Sequence, residues 1–230
     1  MNMEKKFELT DNFIINAFGV KLFQIKCTKS FKYAKEGDLG GYVEKDENLD
    51  QESDAWVSGD AWVSGDARVY GNAWVYGNAR VYGNAEVYGN AEVSDDAWVS
   101  GDAWVSGDAR VSGDARVYGD ARVSGNAEVS GDAWVSGDAR VSGNAEVSGD
   151  AEIDNNNKHC GFDCFGSANR HTHAYLTKEN KVEITCGCFR GSIEEFEKRV
   201  EETHSGTIYE KQYKAIIDVI KIKFGSTDLI

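Results

Sequence analysis

From Asp54 to Ile153 apolar and polar positions alternate inside a six-residue unit written as DAWVSG, DARVYG, NARVYG and NAEVSG. Val or Ile returns at every sixth position from Val57 to Ile153, seventeen times, and Ala stands two residues before each of them. A period of two places Ala and Val on one side of a short strand and the variable and Ser/Tyr positions on the other. The remaining Gly-Asp/Asn pair is turn chemistry, because Gly takes positive φ freely and Asn and Asp tolerate it. A short strand and a tight turn repeated in one phase cannot fold back as hairpins without changing which residues face inward. They can wind into a coil whose turns stack in parallel.

The flanks follow other patterns. Lys6–Leu9 and Val20–Cys27 have strand-like composition around the apolar patch Phe13–Phe18, and a Gly-rich stretch (37–41) leads into Tyr42-Val43. This segment is expected to cover the open first coil, whose unpaired backbone would otherwise invite edge-to-edge association. After Ile153 the run Asp154–Asn157 reads as a linker. Residues 170–177 and 181–188 read as two strands around a Lys178-Glu179-Asn180 turn. Ser192 with Glu195 three residues on forms a capping box, and Ile193, Phe196 and Val200 give the helix that follows an apolar stripe. A second helix is expected over 208–223, with Tyr213, Ile216, Ile217 and Ile220 on one face.

The hexapeptide unit resembles that of the left-handed parallel β-helix, in which an aliphatic residue recurs every sixth position. Three hexapeptides form one triangular coil in that family, so seventeen units imply nearly six coils, about 27 Å of prism at roughly 4.8 Å per layer. The expected fold is therefore mainly β: a left-handed parallel β-helix of nearly six coils (46–157), an N-terminal β cap (1–45) and a small C-terminal ββαα domain (158–230). Acyltransferases and carbonic anhydrases on this fold use histidines from coils or inserted loops. Here no His precedes residue 159 and no loop breaks the repeat, so a coil-borne active site of either kind is not expected. The resemblance also implies a homo-oligomer, with a trimer favoured, because the β-helix enzymes commonly associate through their prism faces.

Charge sharpens the picture. The net charge is −14, and residues 46–157 hold 6 basic against 22 acidic groups, whereas 158–230 hold 11 of each. Such a coil repels nucleic acid and suits a basic protein partner or bound cations. No apolar run reaches the roughly 18 residues a membrane span needs, and the start lacks a signal-peptide core, so a cytoplasmic protein without membrane contact is expected. The five cysteines are then reduced thiols or metal ligands.

Following the residue before each Val every third unit gives three outward columns. The second runs Trp62, Arg80, Trp98, Arg116, Trp134, Glu152, an alternation that places guanidinium groups over indoles, worth about 0.5–1 kcal/mol per exposed pair. All six tryptophans and Tyr70, Tyr76, Tyr82, Tyr88 and Tyr118 occupy outward positions, an expected binding or oligomer face, with Trp62, Trp98 and Trp134 as its anchors. The turn columns beginning at Asp60 and Asp66 are acidic, and solvated carboxylates fit them better than calcium, which needs more oxygens than one per layer.

Every histidine and four cysteines fall after Ile153. If Thr177 pairs with Val182, His173 lies opposite Cys186 and His171 opposite Cys188, and with Cys160 and Cys164 nearby that would make a zinc site. The CxC and CxxxC spacings are looser than paired CxxC, and buried structural cysteines or a Cys/His catalytic pair are the competing readings. No metal and no cofactor is assigned, and Cys160, Cys164, Cys186 and Cys188 remain the weaker metal candidates.

The entry LGGYVEK, the long A-x-V-x-G-[DN] array and the tail ITCGCFRGSIEEFE…ETH together resemble hexapeptide-repeat proteins of phages and prophages. That resemblance implies a mobile-element origin, expression in a bacterial cytoplasm and no established reaction. Asn169, Arg170, His171, Arg190 and His204 occur in a non-repeating context and are the candidate ligand or partner residues there. The expected function is a non-catalytic binding protein that counters a host system by occupying a host protein or sequestering a small nucleotide-like signal. A structural β-helix polymer or virion component, and a small metal or thiol enzyme in the C-terminal domain, are the alternatives.

Overall fold

A computed structural model describes residues 5–225. The repeat forms seventeen two-residue strands, β4–β20, running from Trp56–Val57 to Glu152–Ile153. Each pairs in parallel with the strands eighteen residues away, so that Val87, Val105 and Val123 stack in one column. Three parallel ladders close a solenoid of about six turns, as the spacing requires. The repeated Ala and Val residues fill its interior and are fully buried almost without exception. Positive φ recurs at the turn glycines. At Gly101 (φ +70°) a Cβ would stand 2.9 Å from the Gly119 amide nitrogen, so layer spacing and conformation both select Gly. Asp95, the one turn residue that replaces Gly, adopts φ +56°, as its tolerance predicts.

The N-terminal segment caps the coil by extending one of its sheets. Strands β1 (Phe7–Ile15) and β2 (Lys21–Cys27) pair antiparallel, and β2 pairs with β3 (Leu39–Val43). β3 in turn lies parallel to Trp62–Val63. The apolar patch Phe13–Phe18 thus lies partly within β1, past a bulge between Leu9 and Phe13. The first coil's carbonyls, which have no preceding repeat to bond, find other donors. The amides of Tyr42 and Glu44 bond Ala61 and Val63, buried Asn48 donates to Gly65 and Ala67, and the Lys6 ammonium donates to Ser53 and Ala55 at 2.7 Å. Burial pushes Lys6 down to about 8, still charged at neutral pH. Lys6→Met would strand two carbonyls and is expected to cost about 2 kcal/mol in denaturant melts, whereas Lys5→Met, at an exposed ion pair screened by solvent, should leave the melt nearly unchanged.

The C-terminal unit is a four-stranded antiparallel sheet in the order β21 (His159–Phe165), β22 (Arg170–Leu176), β23 (Val182–Cys186), β24 (Phe189–Gly191). It is followed by α1 (Ile193–His204) and α2 (Ile208–Phe224). Two of these strands, β21 and β24, do not show in the sequence pattern, because Gly161, Asp163, Arg190 and Gly191 dilute their β-propensity. The Ser192–Glu195 capping box is present, and both helices lay their expected apolar faces on the sheet. The other sheet face sits on the last coil, where Tyr175 enters the coil's own core. The Asp154–Asn157 run also serves this end, since Asn156 accepts the Arg140 amide at 2.8 Å. No helix among the described residues is long and apolar enough to cross a membrane.

Candidate functional site

Two regions gather the candidate residues. On the first, the coil face that continues β3, the expected stacking is present: the Arg80 and Arg116 guanidinium groups each lie 4.9 Å from the Trp98 ring centre, on the two neighbouring layers. Arg116 also lies 5.2 Å from Trp134, and the Lys178 ammonium 4.5 Å from it. Carboxylates border this stripe on both sides, Asp96, Asp114, Asp132 and Asp150 along one turn edge and Asp102, Asp120 and Asp138 along the other. In upper layers Asn side chains relieve the repulsion, with Asn78 donating to Asp96 and Asn84 to Asp102.

The expectation that all six outward tryptophans contribute to one open face needs correction. Trp62 is only 7% exposed and Trp56 is buried, because the N-terminal segment folds down the sides of the prism as well as over its end. Phe31 packs edge-on against Trp56, Tyr33 stacks on Trp74, and Phe18 joins Tyr82 beside Trp62. Trp98 remains half-buried between two guanidinium groups and Trp134 between the Arg116 guanidinium and the Lys178 ammonium, and Trp104, 38% exposed, is the most open of the six.

The second region is the C-terminal sheet. Its register pairs Leu176 with Val182, hence Thr172 with Cys186 and His173 with Thr185. This is one residue away from the Thr177–Val182 pairing, and with a side-chain period of two that slip sends the cysteines and histidines to opposite faces. Cys160 and Cys186 lie under the helices, Cys164 and Cys188 are exposed, and the histidines face the coil. Among the described residues no group of three His, Cys, Asp or Glu side chains could hold a metal ion. Burial pushes the Cys160 thiol up to about 11, away from the thiolate.

The coil-facing side carries a ladder of polar rings. His173 Nδ1 donates to the Glu146 carbonyl at 3.1 Å, an oxygen that can only accept, so in the neutral ring Nε2 is the acceptor of the 3.0 Å contact to His159 Nδ1. His159 Nε2 is then a bare acceptor, buried and without a partner. Burial pushes His159 down to about 4 and His173 to about 3, so both are neutral at physiological pH. Beside them Tyr175 and Arg190 both donate to Glu183 at 2.6 Å, and burial pushes Tyr175 up to about 12. Sequence reasoning missed Tyr175, Glu183, Thr185 and His159; the alternation His171, His173, Tyr175 is the signal that places the first of these on the histidine face.

The five C-terminal candidates do not converge. Asn169 forms the β21–β22 turn with φ +49°. Arg190 lies on the coil-facing side, over Gly149, whereas Arg170 packs on Gly187 and His204 stacks on Tyr213 at 5.4 Å. His171 donates to Asp163 at 2.6 Å and lines, with Arg170, Glu146 and Thr185, a small cleft of about 240 Å³ between sheet and coil.

Comparison with known families finds the repeat described as YdcK Beta solenoid repeat at residues 61–77, 73–89, 103–119, 109–122, 115–131 and 121–137, all within the coil. No curated protein matches the chain. The stacked register and these matches together identify a repeat β-helix protein whose coil is similar to the YdcK β-solenoid repeat.

Proposed function

We propose that the protein is a non-catalytic binding protein whose working surface is the Trp98–Arg116–Trp134 face, and that its partner is a protein with a basic surface. The observation that carries this reading is the guanidinium–indole ladder. Trp and Arg are the residues that concentrate binding energy at interfaces, and here stacking and the solenoid backbone order them in advance, which lowers the cost of association. The carboxylate edges attract a basic partner and raise its rate of encounter. The separation of thiols from imidazoles by the sheet supports a non-catalytic role. The engagement of Arg190 with Glu183 favours the coil face over a C-terminal ligand site.

The finer reading follows the resemblance to phage and prophage proteins: an acidic prism made in the bacterial cytoplasm that occupies a nucleic-acid-binding surface of a host defence enzyme. Tagged protein used to capture partners from a bacterial lysate, followed by titration of the purified partner, tests both levels. Trp98→Ser with Trp134→Ser is expected to abolish the interaction with the melting temperature nearly unchanged, and rising salt should weaken it. Binding that survives these changes but is lost in Arg170→Ala with Arg190→Ala would move the site to the C-terminal sheet. A small phosphorylated metabolite retained by the wild type would support the alternative role in sequestering a signal.

A further inference from the structure

The acidic excess of the coil disfavours contact between two coils, whereas the C-terminal residues, with equal numbers of acidic and basic groups, let two copies approach without net repulsion. There α2 carries two apolar stripes. Tyr213, Ile216, Ile217 and Ile220 are buried against the sheet and α1. On the opposite side Ile208, Val219 and Ile222 are 60%, 48% and 69% exposed, and Ala215 between them is exposed as well. Residues 208, 215, 219 and 222 recur at sevens, fours and threes, the spacing of a helix–helix seam. Beside this stripe Phe165, 39% exposed, joins Ala215 and Val219 in lining an almost wholly apolar groove of about 440 Å³.

We infer that α2 is a self-association surface on which a second copy of this chain packs its own α2 antiparallel, about a two-fold axis at Ala215. The stripe is self-complementary about that residue. Seven positions to either side, Ile208 meets Ile222 of the partner subunit, so the two most exposed aliphatic residues of the helix cover each other. Four positions to either side, the methylene stem of Lys211 meets the partner's Val219, and its ammonium stands next to the partner's Asp218. Every contact occurs twice because the interface is isologous. Ala215 is the smallest side chain of the stripe and stands at the crossing, where the helix axes come closest. Lys211 and Asp218 are both exposed, of opposite sign, and nearly equidistant from Ala215, the arrangement that an antiparallel copy satisfies and a parallel one does not. This surface is separate from the Trp98–Arg116–Trp134 face and holds or fails independently of it.

Sedimentation equilibrium of the full chain tests the inference. The wild type is expected to be a dimer, and Ala215→Arg, which places two like charges and two long side chains on the axis, should weaken it by roughly 100-fold. Arg is a good helix former, so the circular dichroism and melting of the monomer should change little. Lys211→Glu or Asp218→Lys alone should each weaken the dimer several-fold, and the double exchange should restore it, a rescue that requires antiparallel pairing and does not depend on Ala215→Arg folding. A wild type that stays monomeric, a trimer, or a dimer indifferent to both sets of changes would overturn the assignment. So would a monomer that dimerises only after truncation at Gly225, since residues 226–230, which end in Leu229-Ile230, would then be what covers the stripe.

Discussion

Val105→Asp is expected to destabilise the coil by about 4–6 kcal/mol, enough to unfold a domain of ordinary stability. Val105 is fully buried between Val87 and Val123, in a column that offers a carboxylate only more valines. About 1.5–3 kcal/mol of side-chain burial is lost, and the new group is an unpaired buried charge or a protonated acid with unmet hydrogen bonds. The defect also spreads. A solenoid is held by contacts between adjacent turns, so a ruptured layer weakens the turns on both sides of it. Ser106→Asp, one residue on, points outward, and its backbone amide still bonds the Val123 carbonyl at 2.9 Å, so the expected cost is within about 0.5 kcal/mol. Urea melts of the two variants make the comparison. Equal losses would overturn the assignment of inward and outward phases, and a larger loss for Ser106→Asp would mean that the two are exchanged.

Stability is also expected to fall as pH drops from 7 to 4.5, by on the order of 3 kcal/mol. His159 and His173 have folded-state pKa values near 4 and 3, below the value of about 6.5 that an unfolded chain presents. Between those limits the unfolded state binds protons that the folded state refuses. Stability is therefore intact above pH 6.5 and is lost progressively as the pH falls through the range down to about 3. The hydrogen-bond chain gives the geometric reason: with His173 Nδ1 committed to the Glu146 carbonyl, a proton on Nε2 would face the His159 N–H. The surrounding charges have both signs. Lys223 on α2 adds to the depression at His159, while Glu146 on the last coil, whose own carboxyl is raised by burial and by Glu128, opposes the loss at lower pH. Nearby, Asp163 binds His171, and Glu183 binds Tyr175 and Arg190. Chemical denaturation across this range should show a slope that disappears in His159→Gln with His173→Gln. An unchanged acid limb in that double variant would mean that the carboxylates, not the imidazoles, govern it. Because these rings join the C-terminal sheet to the last coil, the acid transition should appear first as loss of that contact, with the coil's circular dichroism retained.

The repeat is the part of this protein that its sequence determines. Seventeen nearly identical units, with Ala and Val (Ile in the last) inward and Gly at all but one of the turns between them, leave one inward phase, one turn chemistry and one stacking interval, so the columns Trp56–Glu146, Trp62–Glu152 and Arg68–Arg140 and the guanidinium–indole contacts follow from counting. The helices were equally legible, because capping at Ser192 and the apolar stripes are local signals. Three features were decided only by tertiary structure. Which tryptophans are available depended on where the N-terminal segment lies, and Phe18, Phe31 and Tyr33 carry no local sign that they will reach Tyr82, Trp56 and Trp74. The relation of cysteines to histidines hung on a single step of hairpin register, which the Lys178–Asn180 turn leaves open, and which is fixed once Tyr175 enters the coil core and Cys186 goes beneath α2. The convergence of Glu146, His159, His173 and Thr185 joins the last coil to three strands of the following sheet, and chain order says nothing about such a meeting. Periodicity fixes what each residue's neighbours along the chain require of it; only packing between elements decides which of two faces, each chemically acceptable by itself, is placed against the coil.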